Sequence, residues 1–534
     1  MRSVRSGSLS VLLCIALVSG CAMLPPGSDY PRTVSTALPL PEATRLGKQF
    51  AQIASEHGGN SGFRIIPAGV DGFLARMQMI NAAERTLDLQ YFIFRGDDTG
   101  KLLTDAVLRA ADRGVRVRVL VDDGETETGD EQLVALVAHA SIEIRIFNPF
   151  VYRGHSKLLR AAEFAFNSGR LDYRMHNKLM LVDNALALMG GRNIGDQYFQ
   201  IDPESQFADD DVFSVGPVAQ QLSATFDEFW NNGLSIPAEA LLPPVERNSR
   251  ATLNEHRQAL DENRRQAKDE GIDYATRVAA GEPLQGMLSG RLPLVWARAR
   301  VVYDSPDKKK VVNGTMIGKL MNRAVADTAM AVQTELLMIT PYLIPGQEGM
   351  RLFEDLRKRN VRTRILTTSL EASTVLPAQS GYMHYRVPLL EAGVELYEIR
   401  SLLGNARGSG QTTAMSRYGN YSLHAKLFVF DRQRVFIGSM NFDQRSMHLN
   451  TEIGLIIESP VLAEQLAARF EAMVQPANSY ALVLRPRAEG GRQELLWRTQ
   501  EEGSAVDYVV EPARSDWQRL EVNLLSLLPL DGEL

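Results

Sequence analysis

The sequence predicts an α/β fold built from two similar halves, each carrying a mixed, largely parallel sheet with helices packed against it. Two observations predict it. Strands and amphipathic helices alternate in the same order twice along the 534 residues, and one long residue pattern recurs late in each round. In the first round, LDLQYFIFRGDDTGKLLTDAVLRAADRGVRVRVLVDD (Leu87 to Asp123) reads as strand, loop, amphipathic helix, a stop at Gly114 and an alternating strand. Such a βαβ unit places its two strands parallel. A helix around Glu131 to His139 and a strand at Ile142 to Phe147 continue the alternation. The second round repeats it: ELLMITPYLIPGQEGMRLFEDLRKRNVRTRILTT (Glu335 to Thr368), a helix from Tyr382 to Ala392, and a strand at Val394 to Ile399.

The chain opens with a basic head (Met1 to Arg5), an apolar run from Leu9 to Val18, and Ser19-Gly20-Cys21. That is the pattern of a secretory signal, residues 1–20, too short to span a membrane as a folded helix. The Val18-Ser19-Gly20-Cys21 ending looks like a bacterial lipobox, which implies lipidation of Cys21 and an anchored rather than spanning protein. Ala22 after the Cys resembles lipoproteins of the outer membrane, so the expected place is the cell envelope, facing the periplasm, the outer membrane ahead of the inner. The only other cysteine, Cys14, is lost with the signal, leaving no disulfide to hold an exported protein together; its core must do so. Residues 21–60 are expected to hold the anchored tether, Met23 to Glu42 being rich in Pro, Ser and Thr, and the start of the mature chain. The first half is assigned to 61–242 and the second, with its tail, to 293–534. Between them, 243–292 is highly charged (HRQALDENRRQAKDEG) and reads as a surface helix and linker.

The recurring pattern carries the chemistry. His176, Lys178, Asp183 and Asn193 sit in MHNKLMLVDNALALMGGRN, and His424, Lys426, Asp431 and Asn441 in SLHAKLFVFDRQRVFIGSMN. In both, the Lys is followed after the same intervals by Asp, Gly and Asn. On an apolar strand, residues two apart share a face, so each imidazole lies beside an ammonium. That pairing suits attack on a phosphate: Lys supplies fixed positive charge, and His changes charge near neutral pH. Gly190-Gly191 and Gly438-Ser439 permit close backbone approach, and Asn193, Asn441 and Ser439 are expected to donate to phosphate oxygens. Gly191 departs from the Ser of the second copy and lacks its hydroxyl.

This duplicated motif resembles that of the phospholipase D superfamily, in which motifs from two halves meet in one active site; the resemblance implies a pseudo-two-fold bilobal monomer. RGVRVRVLVDD, FNPF, FADDDVFSVGP and the tail DWQRLEVNLLSLLP are similar to the cardiolipin synthase C-type branch over nearly the whole mature chain. That implies transfer of a phosphatidyl group onto phosphatidylglycerol through a covalent phosphohistidine, with phospholipids as substrates and no metal or cofactor needed. By resemblance His176 is the nucleophile and His424 the acid/base; the symmetry of the motifs leaves the order open. A lipid-hydrolysing phospholipase D is the alternative, with a nuclease behind it, since alcohol and water differ only in which reaches the intermediate.

The family motif counts Asp183 and Asp431 with the catalytic residues. Their positions at turns, about 20 Å along the strand from their own His if extended, favour a fold-holding role instead. The carboxylates expected to orient the imidazoles lie on the next strand, Glu452 in NTEIGLII and Asp211 in ADDDVFSV; Asp211 is chosen because it precedes an apolar strand, as Glu452 does. His155, in a third His-x-Lys without the rest of the pattern, and His384, His57, His139 and His256 read as surface residues. A net charge of −6, 45% hydrophobic and 23% charged residues describe an ordinary globular protein, and argue against nucleic acid as partner. The tail from Trp517 to Leu530 reads as an amphipathic helix, on lipid or on the core. No partner protein is named by the sequence.

Overall fold

In a computed structural model of the chain, residues 25–124, 133, 136–154, 156–200, 206–242, 249–269, 286–287, 292–401, 421–486 and 493–528 are described. The expected signal segment, Cys21, His155, part of the helix expected at Glu131 to His139 and the residues after 528 lie outside them. The first half contributes strands β1 (Ser61–Ile66), β2 (Thr86–Tyr91), β3 (Arg116–Asp122), β4 (Ile142–Phe147), β5 (Lys178–Val182), β6 (Leu186–Gly190), β7 (Gln206–Ala208), β8 (Asp211–Val215) and β9 (Ser235–Pro237). The second contributes β10 (Val295–Tyr303), β11 (Glu335–Ile339), β12 (Arg362–Thr368), β13 (Glu395–Ile399), β14 (Tyr421–Leu423), β15 (Leu427–Phe430), β16 (Arg434–Gly438) and β17 (Ile453–Glu458). It ends with β18 (Ser479–Arg485), β19 (Glu494–Glu501) and β20 (Ser504–Tyr508).

Eighteen of these strands form one sheet, read outward in both directions from a central seam. On one side the order is β1-β8-β6-β5-β2-β3-β4-β9; on the other it is β10-β17-β16-β15-β11-β12-β13-β18, extended by β19 and β20. The seam is the antiparallel pairing of β1 with β10 over Ser61↔Ala297, Gly62↔Trp296 and Phe63↔Val295. The two orders match strand for strand, which is the pseudo-two-fold relation. The sheet is mixed, but parallel pairing is confined to β2-β3-β4 and β11-β12-β13. The remaining pairings in the sheet are antiparallel. Asp183-Asn184 and Asp431-Arg432 turn the β5–β6 and β15–β16 hairpins with positive φ at both residues, the geometry that Asn, Asp and Gly supply most easily.

Local chemistry sets the helices. Asp97 accepts from the Gly100 N–H to start helix Asp98–Asp112, which stops before Gly114 at φ 89°. Ser459 caps helix Pro460–Met473, with Pro at the first position where its missing N–H costs nothing. The single helix expected from Tyr382 to Ala392 is broken into Leu376–Met383 and Arg386–Glu391. Pro388 explains the break: it has no N–H to give the carbonyl of His384, so a continuous helix cannot pass.

Three apolar clusters result, one outside each half and one shared. The shared cluster joins Phe226, Phe229 and Trp230 of helix Pro217–Trp230 to Leu466 and Phe470 of the matching helix Pro460–Met473. Each such side chain contributes about 1.5–3 kcal/mol by leaving water, so the halves are held together by a core. The segment expected to be a tether is, from residue 25 on, laid along the first half. Arg145, Arg118 and Arg116 donate to the carbonyls of Thr33, Ser35 and Thr36, and Asp227 accepts from the Ala37 N–H. Those arginines arise from the alternation of β3 and β4, and they bind carbonyls that an apolar face could not hold. The charged linker supplies helix Arg250–Asp269, which lies on helix Asp98–Asp112 through Arg257–Asp112 and Asn263–Asp98 contacts.

Candidate active site

Each motif histidine is delivered by its own half and fixed by the other. Asp122, at the end of β3, accepts from the Met175 N–H at 2.8 Å, and His176 then donates its own N–H to the carbonyl of Thr451 at 2.9 Å. In the second half, β14 pairs with β7 of the first, and the N–H groups of His424 and Ala425 both reach the carbonyl of Ala208 at 2.8 and 2.9 Å. Thr451 and Ala208 are the residues before two buried carboxylates. Glu452 therefore lies 2.9 Å from His176 Nδ1, and Asp209 lies 2.6 Å from His424 Nδ1. The carboxylates accept from Nδ1, leaving each Nε2 as the reactive nitrogen.

Lys178 and Lys426 are buried beside them. Lys178 Nζ donates to the carbonyl of His176 at 2.6 Å and Lys426 Nζ to that of His424. Rings close the walls: Phe92 meets His176 edge-on at 4.9 Å, and Tyr198 and Phe207 lie 5.3 and 5.1 Å from His424. Only 7% of His176 and 8% of His424 is exposed. Burial, then the Lys178 and Lys426 ammonium groups, holds His176 well below the usual histidine range. Burial and Lys426 push His424 down to about 3. Burial also lowers Lys178 well below its ordinary value and Lys426 to about 8. Both histidines feel the ammonium groups of the same two lysines, one from each half, so the two His-Lys pairs share one site. An anion placed between the two ammonium groups would offset their effect and raise the histidines again.

The two carboxylates differ. Burial raises Glu452 to about 7, and the hydroxyls of Ser439 and Ser446 donate to it at 2.5 and 3.0 Å. Asp209 is also penalised by burial, but His424 and Lys426 outweigh that and hold it below the usual carboxylate range. The Gly191 position explains the shorter acid: a Cβ there would lie 2.2 Å from Asp209 Oδ1. The carboxylate occupies the space that Ser439 fills in the other half.

Two expectations are corrected, at Asp211 and Ser439. Asp211 is not the histidine's acceptor; it is buried against Arg76 at 2.7 Å and Arg192 at 3.1 Å. The register explains why: Gly190 faces Asp211 but Gly438 faces Gly454, so the counterpart of Glu452 is two residues before Asp211, at Asp209. Moreover, the pairs cross between halves rather than closing within one. Ser439 is not placed for phosphate, since its hydroxyl is spent on Glu452. Asp183 and Asp431 stand apart from the imidazoles. Asp183 accepts from the N–H groups of Glu84, Arg85 and Thr86 at 2.8–3.0 Å, and Asp431 from those of Gln333, Thr334 and Glu335 at 2.7–3.1 Å. Each thereby starts the central strand of its half. Asn193 accepts from the Ile93 N–H and donates to the Tyr198 hydroxyl, while the buried Asn441 carbonyl oxygen has no protein partner among the described residues. Sequence reading missed Asp209 and Ser446; the signal for Asp209 was strand register, and none marked Ser446.

Two halves contributing one His-Lys pair apiece, with carboxylates exchanged across the interface, constitute a phospholipase D-type active site. Comparison agrees: the family described as cardiolipin synthase, PLD-like domain matches residues 77–230 and 326–474. Cardiolipin synthase C of Escherichia coli K12 is 35% identical over 91% of this chain and 99% of its own. The major cardiolipin synthase of Bacillus subtilis 168 is 24% identical over 76% of this chain and 67% of its own. A solved phosphatidylserine synthase from Haemophilus influenzae aligns with a TM-score of 0.49 at 12% identity, covering 81% of this chain and 92% of that one. The chain belongs to the cardiolipin synthase, PLD-like domain family, and is an enzyme of the phospholipase D superfamily.

Proposed function

We propose that the enzyme forms cardiolipin by transferring a phosphatidyl group from one phospholipid to the free glycerol head of phosphatidylglycerol. The observation that carries this reading is the pair of crossed bonds, Glu452 to His176 and Asp209 to His424, with Lys178 and Lys426 buried beside them. Family membership supports phosphatidyl transfer, and the relatives named cardiolipin synthase support the product.

His176 Nε2 attacks phosphorus, and the bond to the departing alcohol breaks as His424, protonated when the phosphate binds, donates from Nε2. A phosphohistidine results. His424 then takes the proton of the incoming glycerol hydroxyl, whose oxygen displaces His176. The difference between the carboxylates supports this order. Asp209, held ionised, favours an imidazolium at His424, as an acid requires; Glu452, raised by burial, leaves His176 neutral and nucleophilic. Lys178 and Lys426 stabilise charge on the non-bridging oxygens.

The test is purified enzyme with phosphatidylglycerol, alone or with phosphatidylethanolamine, followed by mass analysis. New cardiolipin is expected from the wild type and none from His176→Ala or His424→Ala; phosphatidic acid as sole product would replace the transferase with a hydrolase. With phosphate-labelled lipid, His424→Ala is expected to accumulate acid-labile label on the protein, and His176→Ala to accumulate none. We also propose that Cys21 is acylated and holds the enzyme on the periplasmic side of the envelope. Palmitate labelling lost in Cys21→Ser is the expected result.

A further inference from the structure

The histidines sit at the end of the sheet where β3 and β12 finish, and an amphipathic helix lies at that end in each half. Helix Lys157–Phe166 follows β4 and buries no residue at all. Arg160 holds it to Asp123, the residue after β3, while Asp122 next to it secures Met175 and so His176. In the second half, helix Asp516–Leu525 is held by Gln518 donating to the carbonyl of Leu370, just past β12. The same loop, through the carbonyl of Ala372, fixes Ser422 two residues before His424. Both helices therefore pack on the loops that set the two imidazoles.

What they present outward is apolar. Leu158 and Phe166 are each 80% exposed, with Leu159 beside them; Trp517 is 71% exposed and Leu527 80%, with Leu524 between. Residues 517, 520 and 524 recur at helical spacing, so they make one stripe, and Leu527 follows just past the helix end. Two helices unrelated in sequence, one from each half, expose large apolar side chains at the same rim. Lys309 and Lys310 stand near the first, Lys309 reaching the carbonyl of Gly169.

We infer that this rim is a bilayer-docking surface: the leucines and aromatics of both helices enter the acyl region of a phospholipid membrane and bring the two histidines to headgroup level. This rests on the phospholipid-transfer reading. A diacyl lipid can then reach the site without leaving the bilayer, which dissolved enzyme would have to extract at the cost of its acyl burial.

The test uses the full mature chain carrying Cys21→Ser, so that no acyl anchor contributes, with vesicles of phosphatidylglycerol and phosphatidylethanolamine. Wild type is expected to sediment with vesicles and to shift its tryptophan emission to shorter wavelength. Leu158→Glu with Phe166→Glu, and separately Trp517→Glu with Leu524→Glu, are each expected to lower partitioning by about tenfold or more. Turnover of vesicle lipid should fall in parallel, while turnover of a short-chain phosphatidylglycerol below its micelle concentration stays at the wild-type level. Variants that partition like wild type overturn the docking surface. So does wild type sedimenting as a dimer that these variants dissociate, which gives the face to a second copy. Wild type inactive on both lipid forms overturns the transfer reading instead, with partitioning still read independently.

Discussion

Glu452 of the second half lies 2.9 Å from Nδ1 of His176 in the first, and its own position is set by two hydroxyls, of Ser439 and Ser446. Neither half alone possesses a histidine together with its carboxylate. The other pair, Asp209 and His424, repeats the crossing with a shorter acid and no hydroxyl. These two solutions to one problem make the halves separable by mutation.

Asp209→Asn and Asp211→Asn should differ in kind although the residues are two apart. Asp209→Asn is expected to cut kcat by 100-fold or more with little change in melting temperature, because only the orientation of His424 is lost. Asp211→Asn leaves Arg76 and Arg192 buried beside a neutral group, and is expected to cost about 3–5 kcal/mol. Thermal unfolding and turnover per folded molecule, measured side by side, check both.

Gly191→Ala should inactivate even though Ser occupies the matching place. Its Cβ would meet Asp209 Oδ1 at 2.2 Å and displace that carboxylate from His424. Ser439→Ala should lose about 10- to 100-fold in kcat, the worth of one hydrogen bond to a charged group at about 1.5–3 kcal/mol. Equal losses in the two variants would contradict the steric account.

Glu452→Gln should trade activity for stability. Burial raises this acid from 4.5 to about 7 in the folded protein, so the native state holds its proton more tightly than the unfolded chain does. The ionised carboxyl therefore weakens the fold progressively from about pH 4.5 up to pH 7, and fully above that. Relative to wild type, the variant should gain about 3 kcal/mol at pH 8 and lose that advantage at pH 4.5, with turnover absent throughout. Denaturant titrations at the two pH values check it.

Asp431→Asn is expected to show the opposite slope. Partial burial pushes the Asp431 carboxyl up, but the N–H groups of Gln333, Thr334 and Glu335 outweigh this and hold it below its ordinary value. A lowered acid stabilises above the unfolded pKa, near 3.9, and that contribution disappears as pH falls through the folded value. The stability gap between wild type and variant, about 1 kcal/mol at pH 7, should close below about pH 4, with turnover retained.

Much of this was legible in the sequence because it is local. Strand hairpins bearing His176 and His424, the helix stop at Gly114 and the turn positions of Asp183 and Asp431 depend on residues near one another. The carboxylate was read wrongly because its register is settled by a partner strand, Gly190 opposite Asp211 and Gly438 opposite Gly454. Three adjacent aspartates offer no local signal to choose among them. The crossing of the pairs arises only when the halves close on each other, and the bond from Ser446 to Glu452 forms within the second half from a helix whose start the sequence does not announce.

The seam between β1 and β10 is only three residue pairs long, yet it lies between matching orders of strands. A half of this kind, meeting its twin edge to edge, would already own both imidazoles and both acids. Covalent fusion adds something different: it lets the twins drift apart. Asp beside Gly in one and Glu beside Ser in the other is the record of that licence, an asymmetry that identical subunits could never acquire.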